Sequence, residues 1–149
     1  MQIDERIEQH VREALAAAVG EERDRFEAGL DSLSDEDGPT AWQYAAFAVG
    51  YVINDIEAAD DDLDGIAERA VAATKGWIDV GGKEQVRALL KAASVGNANL
   101  PGVPPEKVVN MTFVVASYLL QAYRADDEEW WDYLSTIWEA AEATPETAG

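Results

Sequence analysis

The chain has 149 residues, no cysteine, and 30 acidic against 11 basic residues, giving a net charge of −19. That length suits one domain with its own apolar core, and the missing cysteine excludes disulfides and thiolate metal sites. The charge opposes direct binding to nucleic acid or anionic lipid, both of which need a positive surface.

The charge is unevenly spread. Residues 1–40 carry a net −8, residues 41–74 a net −6, residues 75–124 a net +3, and residues 125–149 eight acids with no base. All four lysines, Lys75, Lys83, Lys91 and Lys107, lie in the third block. The start, Met1-Gln2-Ile3-Asp4-Glu5-Arg6, lacks the basic and then apolar run of a secretory signal. The longest apolar tract, Val108 to Tyr123, is interrupted by Asn110, Thr112, Ser117 and Gln121, too polar and short for a membrane span. Together these predict a soluble cytoplasmic protein.

Apolar residues recur at the helical period throughout. Asp4 is placed to cap a first helix whose inner face is Ile7, Val11, Ala14, Leu15 and Ala18, with Gly20 as its stop. A second helix follows over about Glu21 to Leu33, with Phe26, Leu30 and Leu33 inward, and 34–39 reads as a loop. Thr40-Ala41-Trp42-Gln43 matches a capping box and predicts a helix over about 40–59. Trp42, Ala45, Val49, Ile53 and Ile56 form its main stripe, widened by Tyr44, Phe47 and Tyr51. Only Gln43, Gly50, Asn54 and Glu57 make a narrow polar or small strip, so this helix is expected to be buried nearly all round.

Asp60-Asp61-Asp62-Leu63-Asp64-Gly65 opens a fourth helix with Leu63, Ile66, Ala67, Ala70 and Val71 inward. Trp77 to Val80 is an apolar connector. The fifth helix, about Lys83 to Val95, carries the stripe Val86, Leu89, Leu90 and Ala93, and Gly96 stops it. A loop from Asn97 leads to Pro105, which suits a first helical turn. The sixth helix, about 105–124, is the second very apolar one. Asp126-Asp127-Glu128-Glu129 then begins the last helix, with Asp126 and Glu129 at the spacing of a cap and its partner, and with Trp130, Leu134, Ile137, Trp138 and Ala141 inward.

The expected fold is therefore all-α, one bundle of six to seven helices over residues 1–143 around the two very apolar helices, with 144–149 a frayed tail. A shift of 67 places Gly50 on Ser117, Tyr51 on Tyr118, Asn54 on Gln121, and Asp60-Asp61-Asp62 on Asp127-Glu128-Glu129. This admits an internal repeat of helix, acidic turn and helix.

Candidate chemistry is sparse. Asp60-x-Asp62-x-Asp64-Gly65 copies the first half of a calcium loop, but the bidentate Glu expected at its twelfth position is Val71. A single histidine, His10, cannot furnish the two Glu-x-x-His motifs of a typical ferritin-like di-iron site. Carboxylates at i, i+3 (Glu5/Glu8, Asp126/Glu129, Glu129/Asp132, Glu139/Glu142) suit Mg²⁺ in an all-α nucleotide pyrophosphohydrolase if two pairs face each other. The most informative local feature is Trp130-Trp131. Neighbours on a helix point about 100° apart, so with Trp130 on the core stripe Trp131 lies off it, beside Asp126, Asp127, Glu128, Glu129 and Asp132.

The function expected is a non-catalytic acidic binding or regulatory protein, of the inhibitor, immunity-type, chaperone or phosphate-mimic class. It would act on a basic protein through those six residues, without cofactor or metal. The alternatives are the Mg²⁺-dependent nucleotide hydrolase and a structural homo-oligomer subunit.

Overall fold

The computed structural model describes residues 1–97 and 100–143, and the expected tail at 144–149 lies outside them. The described residues form seven α-helices and no strand, in one bundle. These are α1 (Glu5–Val19), α2 (Arg23–Asp31), α3 (Asp37–Asp55), α4 (Asp60–Thr74), α5 (Lys83–Ser94), α6 (Pro105–Tyr123) and α7 (Trp130–Ala143). None is long and apolar enough to cross a membrane.

The two very apolar helices, α3 and α6, pack side by side as the sequence predicts. α6 is the hub, with α1, α3, α4, α5 and α7 all against it, while α2 rests on α1. Val49, Ile53, Val115, Leu119, Leu120 and Ile137 are essentially inaccessible and Trp138 is nearly so. Burying a leucine or isoleucine side chain stabilises by about 1.5–3 kcal/mol, so this stripe-to-stripe packing dominates the fold. One cross-link in the core is polar. The Thr112 hydroxyl donates to the Val108 carbonyl at 2.7 Å and accepts the Trp42 indole N–H at 3.1 Å, tying α3 to α6 with no unmet hydrogen bond at the threonine.

Helix ends follow local chemistry, with two departures from expectation at α1 and α3. Asp4 caps α1, accepting the N–H groups of Arg6 and Ile7 at 2.9 and 3.4 Å. α3, however, begins at Asp37 and not at Thr40, which lies within the helix. Ser34 does the capping instead: its hydroxyl accepts the Asp37 N–H at 3.0 Å and its carbonyl accepts the Gly38 N–H at 2.9 Å. Pro39 is tolerated because a first-turn N–H has no intrahelical partner in any case. The Arg6 guanidinium grips both oxygens of Asp37, at 2.6 and 3.0 Å, and holds that carboxyl below its usual range. The second departure is at helix stops. Gly20 ends α1 without a positive φ, and the left-handed residue is Glu21 (φ 56°). Glu57 (φ 55°) does the same after α3.

The two expected helix–acidic turn–helix units are present in chain order, as α3–α4 and α6–α7, but they pack differently. α7 folds back onto α6 and α3, whereas α4 makes its main contacts with α5 and α6. Three of the acids that open α4 are tied into this arrangement. Asp60 meets Lys91 at 2.7 Å, Asp64 meets Arg87 at 2.8 Å, and Asp62 accepts the Ala59 N–H at 2.9 Å.

Candidate partner-binding surface

The segment between α6 and α7 is built by its own acids. Glu128 accepts the Ala125 N–H through its carboxylate at 3.1 Å and returns its own N–H to the Ala125 carbonyl at 3.1 Å, closing a turn. Asp132 accepts the Glu129 N–H at 3.2 Å, and the Glu129 carbonyl receives the N–H groups of Asp132 and Tyr133. The side-chain cap is thus made by Asp132 on the Glu129 N–H, and not by Asp126 and Glu129 as the sequence suggested. Helical structure starts at Trp130, three residues later than the acidic run implies, because the Ala125–Glu128 turn is made first. A base is also closer than the composition of this stretch indicates. Arg124 donates to the Glu128 carbonyl at 2.7 Å and to the Gln121 side chain at 3.3 Å. It braces the backbone of the turn and makes no ion pair there.

The six predicted residues therefore divide. Glu128 and Asp132 hold the turn and the helix start. Asp126, Asp127 and Glu129 are exposed. Trp131 is 45% exposed, and Val95 is the one other large apolar side chain so exposed among the described residues. Its ring stands edge-on to the ring of Trp130, with centroids 5.7 Å apart, and Trp130 is 7% exposed. A buried aromatic thus fixes the exposed one, which limits the rotamer entropy Trp131 loses on contact with a partner.

α7 is anchored from behind by a residue that the inner stripe omitted. Tyr133 is 4% exposed and its hydroxyl donates to Asp55 at 2.7 Å, at the end of α3. Burial, and then the Asp55 carboxylate, push the phenol above its ordinary range. Its position three residues after Trp130 was the available signal. On the other side, Arg12 of α1 reaches the Ser135 hydroxyl at 3.4 Å while holding Glu8 at 2.8 Å.

The alternative carboxylate sets do not converge. Alternate positions on a helix point about 200° apart, so Asp62 turns away from Asp60 and Asp64 and accepts the Ala59 N–H, while Asp60 and Asp64, one turn apart on the same face, are taken up by Lys91 and Arg87. Glu8, half of the Glu5/Glu8 pair, is engaged by Arg12. Among the described residues no three His, Asp or Glu side chains stand together as candidate metal ligands.

Sequence reasoning missed a second feature, a groove of about 540 Å³ along α3, between that helix and the end of α5. Trp42, Phe47 and Tyr51 line it, with Gln43 and Asn54 from the strip expected to be merely polar. The breadth of the aromatic face on α3 was the signal, since no single neighbour covers it. No protein-family model, curated protein or solved structure matches this chain.

Proposed function

We propose that the chain is a non-catalytic binding or regulatory protein that meets a basic surface on another protein through Trp131 and the exposed acids Asp126, Asp127 and Glu129. The observation that carries this reading is the pairing of a half-exposed, ring-braced tryptophan with a turn whose acids project to solvent. Tryptophan is enriched among the residues that dominate interface energies, and a charged rim of one sign steers a partner of the other. The rest of the molecule supports it. Six of the eleven bases are already in ion pairs, and residues 125–143 contain none, so the acidic excess around α7 is left to face outward. Inhibitor, immunity-type, chaperone and phosphate-mimic roles all use such a surface, and a cytoplasmic site of action belongs to the same proposal. The hydrolase alternative needs facing carboxylate pairs, and among the described residues no three candidate ligands stand together.

The test is affinity capture from native lysate with identification by mass spectrometry, run with the wild type, Trp131→Ala and an Asp126→Lys/Asp127→Lys double variant. Glu128 and Asp132 are poor choices for substitution because they cap backbone. A basic partner held by the wild type and lost from both variants, each shown by circular dichroism to be folded, supports the reading. Undiminished capture by both variants overturns it.

A further inference from the structure

We propose that the groove between α3 and the end of α5 binds a small organic cation with an apolar or aromatic body. The volume, about 540 Å³, lies in the range of pockets that enclose small ligands. None of its lining residues belongs to the acidic turn, and in a chain with 30 acids none of its lining side chains is charged. Its side chains offer aromatic surface and neutral amides, and the Met1 ammonium is the charged group among the lining residues. The rings of Phe47 and Tyr51 lie 6.4 Å apart at 32°, and Trp42 is fixed by its hydrogen bond to Thr112.

Three features select a positive ligand over a negative one. Aromatic faces attract cations. The far wall is the C-terminal end of α5, the negative pole of that helix. Gly50 brings this wall in, because a Cβ there would collide with the Ala93 carbonyl oxygen, so only glycine lets α5 approach α3 so closely. Asn54 clasps the same end, donating to the Ser94 carbonyl at 3.2 Å. Finally, the net charge of −19 draws cations toward the whole surface. The positive group at the rim, the Met1 ammonium, donates to the Ala141 carbonyl at 3.2 Å.

The proposal is independent of any protein partner, and calorimetric titration of the full chain tests it. The probes are benzyltrimethylammonium and benzenesulfonate, in about 0.5 M NaCl, where diffuse attraction between exposed charges is screened. The expected result is one saturable site for the cation and none for the sulfonate. Phe47→Leu and Tyr51→Leu keep apolar volume but remove the ring. Each is expected to weaken cation binding by roughly fivefold or more, with an unchanged helical circular dichroism spectrum. If one variant fails to fold, the other carries the test. Equal binding of the sulfonate, absence of a saturable cation site, or cation binding unmoved in the folded variants overturns the proposal.

Discussion

α3 and α6 are both 19 residues long and similarly apolar, yet they occupy different surroundings. α6 is covered by five other helices, and even Thr112 and Ser117 on it are buried. α3 is covered by four, and along one side Trp42, Phe47 and Tyr51 stay half-buried above a groove. Apolar content thus identifies a helix as central, while the number of neighbours decides whether all its faces are closed. A face with more aromatic surface than its neighbours can cover is where a groove is left open.

The sharpest way to break this comparison is truncation on each helix. Leu120→Ala, in the closed surroundings of α6, is expected to cost ~2–5 kcal/mol through lost burial and a residual cavity. Phe47→Ala, on the open side of α3, should cost less than half as much despite the larger side chain removed. Chemical denaturation of both variants checks this, and equal losses would mean that the groove side of α3 is packed after all.

Next in size is the pair of positions related by the 67-residue shift, Gly50 and Ser117. Gly50→Ala places a methyl against the Ala93 carbonyl and should cost roughly 1–3 kcal/mol as α5 is pushed away. The Ser117 hydroxyl bonds only the Val114 carbonyl of its own helix, so Ser117→Ala should stay within about 1 kcal/mol. Urea midpoints of the two variants measure the contrast.

A smaller effect, of opposite sign, is expected where the helices end. α6 ends at an extended Arg124, but α1 and α3 end with glutamates in the left-handed region. There a side chain costs about 1 kcal/mol relative to glycine. α5 uses Gly96 (φ 81°) in the corresponding place, with the Asn97 N–H returning to the Ala92 carbonyl. Glu21→Gly and Glu57→Gly should each raise stability by up to about 1 kcal/mol, read as a higher melting temperature.

The link between α3 and α7 gives a pH signature that is silent at neutrality. Tyr133 ionises with more difficulty in the folded chain than at its ordinary pKa of 10.0. Above that pH the unfolded chain releases a proton that the folded chain retains. Stability is therefore unaffected below pH 10 and falls as the pH rises beyond it. Tyr133→Phe should flatten part of the decline in melting temperature above about pH 10. Tyr118, also raised by burial, acts in the same direction.

Much of this was legible in the sequence. The inner stripes of α1, α5 and α7, the pairing of α3 with α6 and the position of Trp131 off the core follow from the helical period, which needs only local information. The errors arose where two local signals competed. Thr40 and Ser34 both offer a cap to α3, and Ser34 gains an extra turn of helix. Asp126 and Asp132 both have cap-partner spacing around Glu129, and the turn closed by Glu128 leaves the role to Asp132. The groove and the Tyr133–Asp55 bond depend on which helices become neighbours, and no periodicity encodes that.

Association rates report whether the exposed acids before α7 recruit a basic partner. The partner captured by the wild type would be bound to wild-type and Asp126→Lys/Asp127→Lys chains across a series of NaCl concentrations. Steering by opposite charge predicts a wild-type association rate that falls steeply with salt, and a slower, much flatter dependence for the variant. The same salt dependence in both chains would contradict the claim and place the contact elsewhere on the molecule.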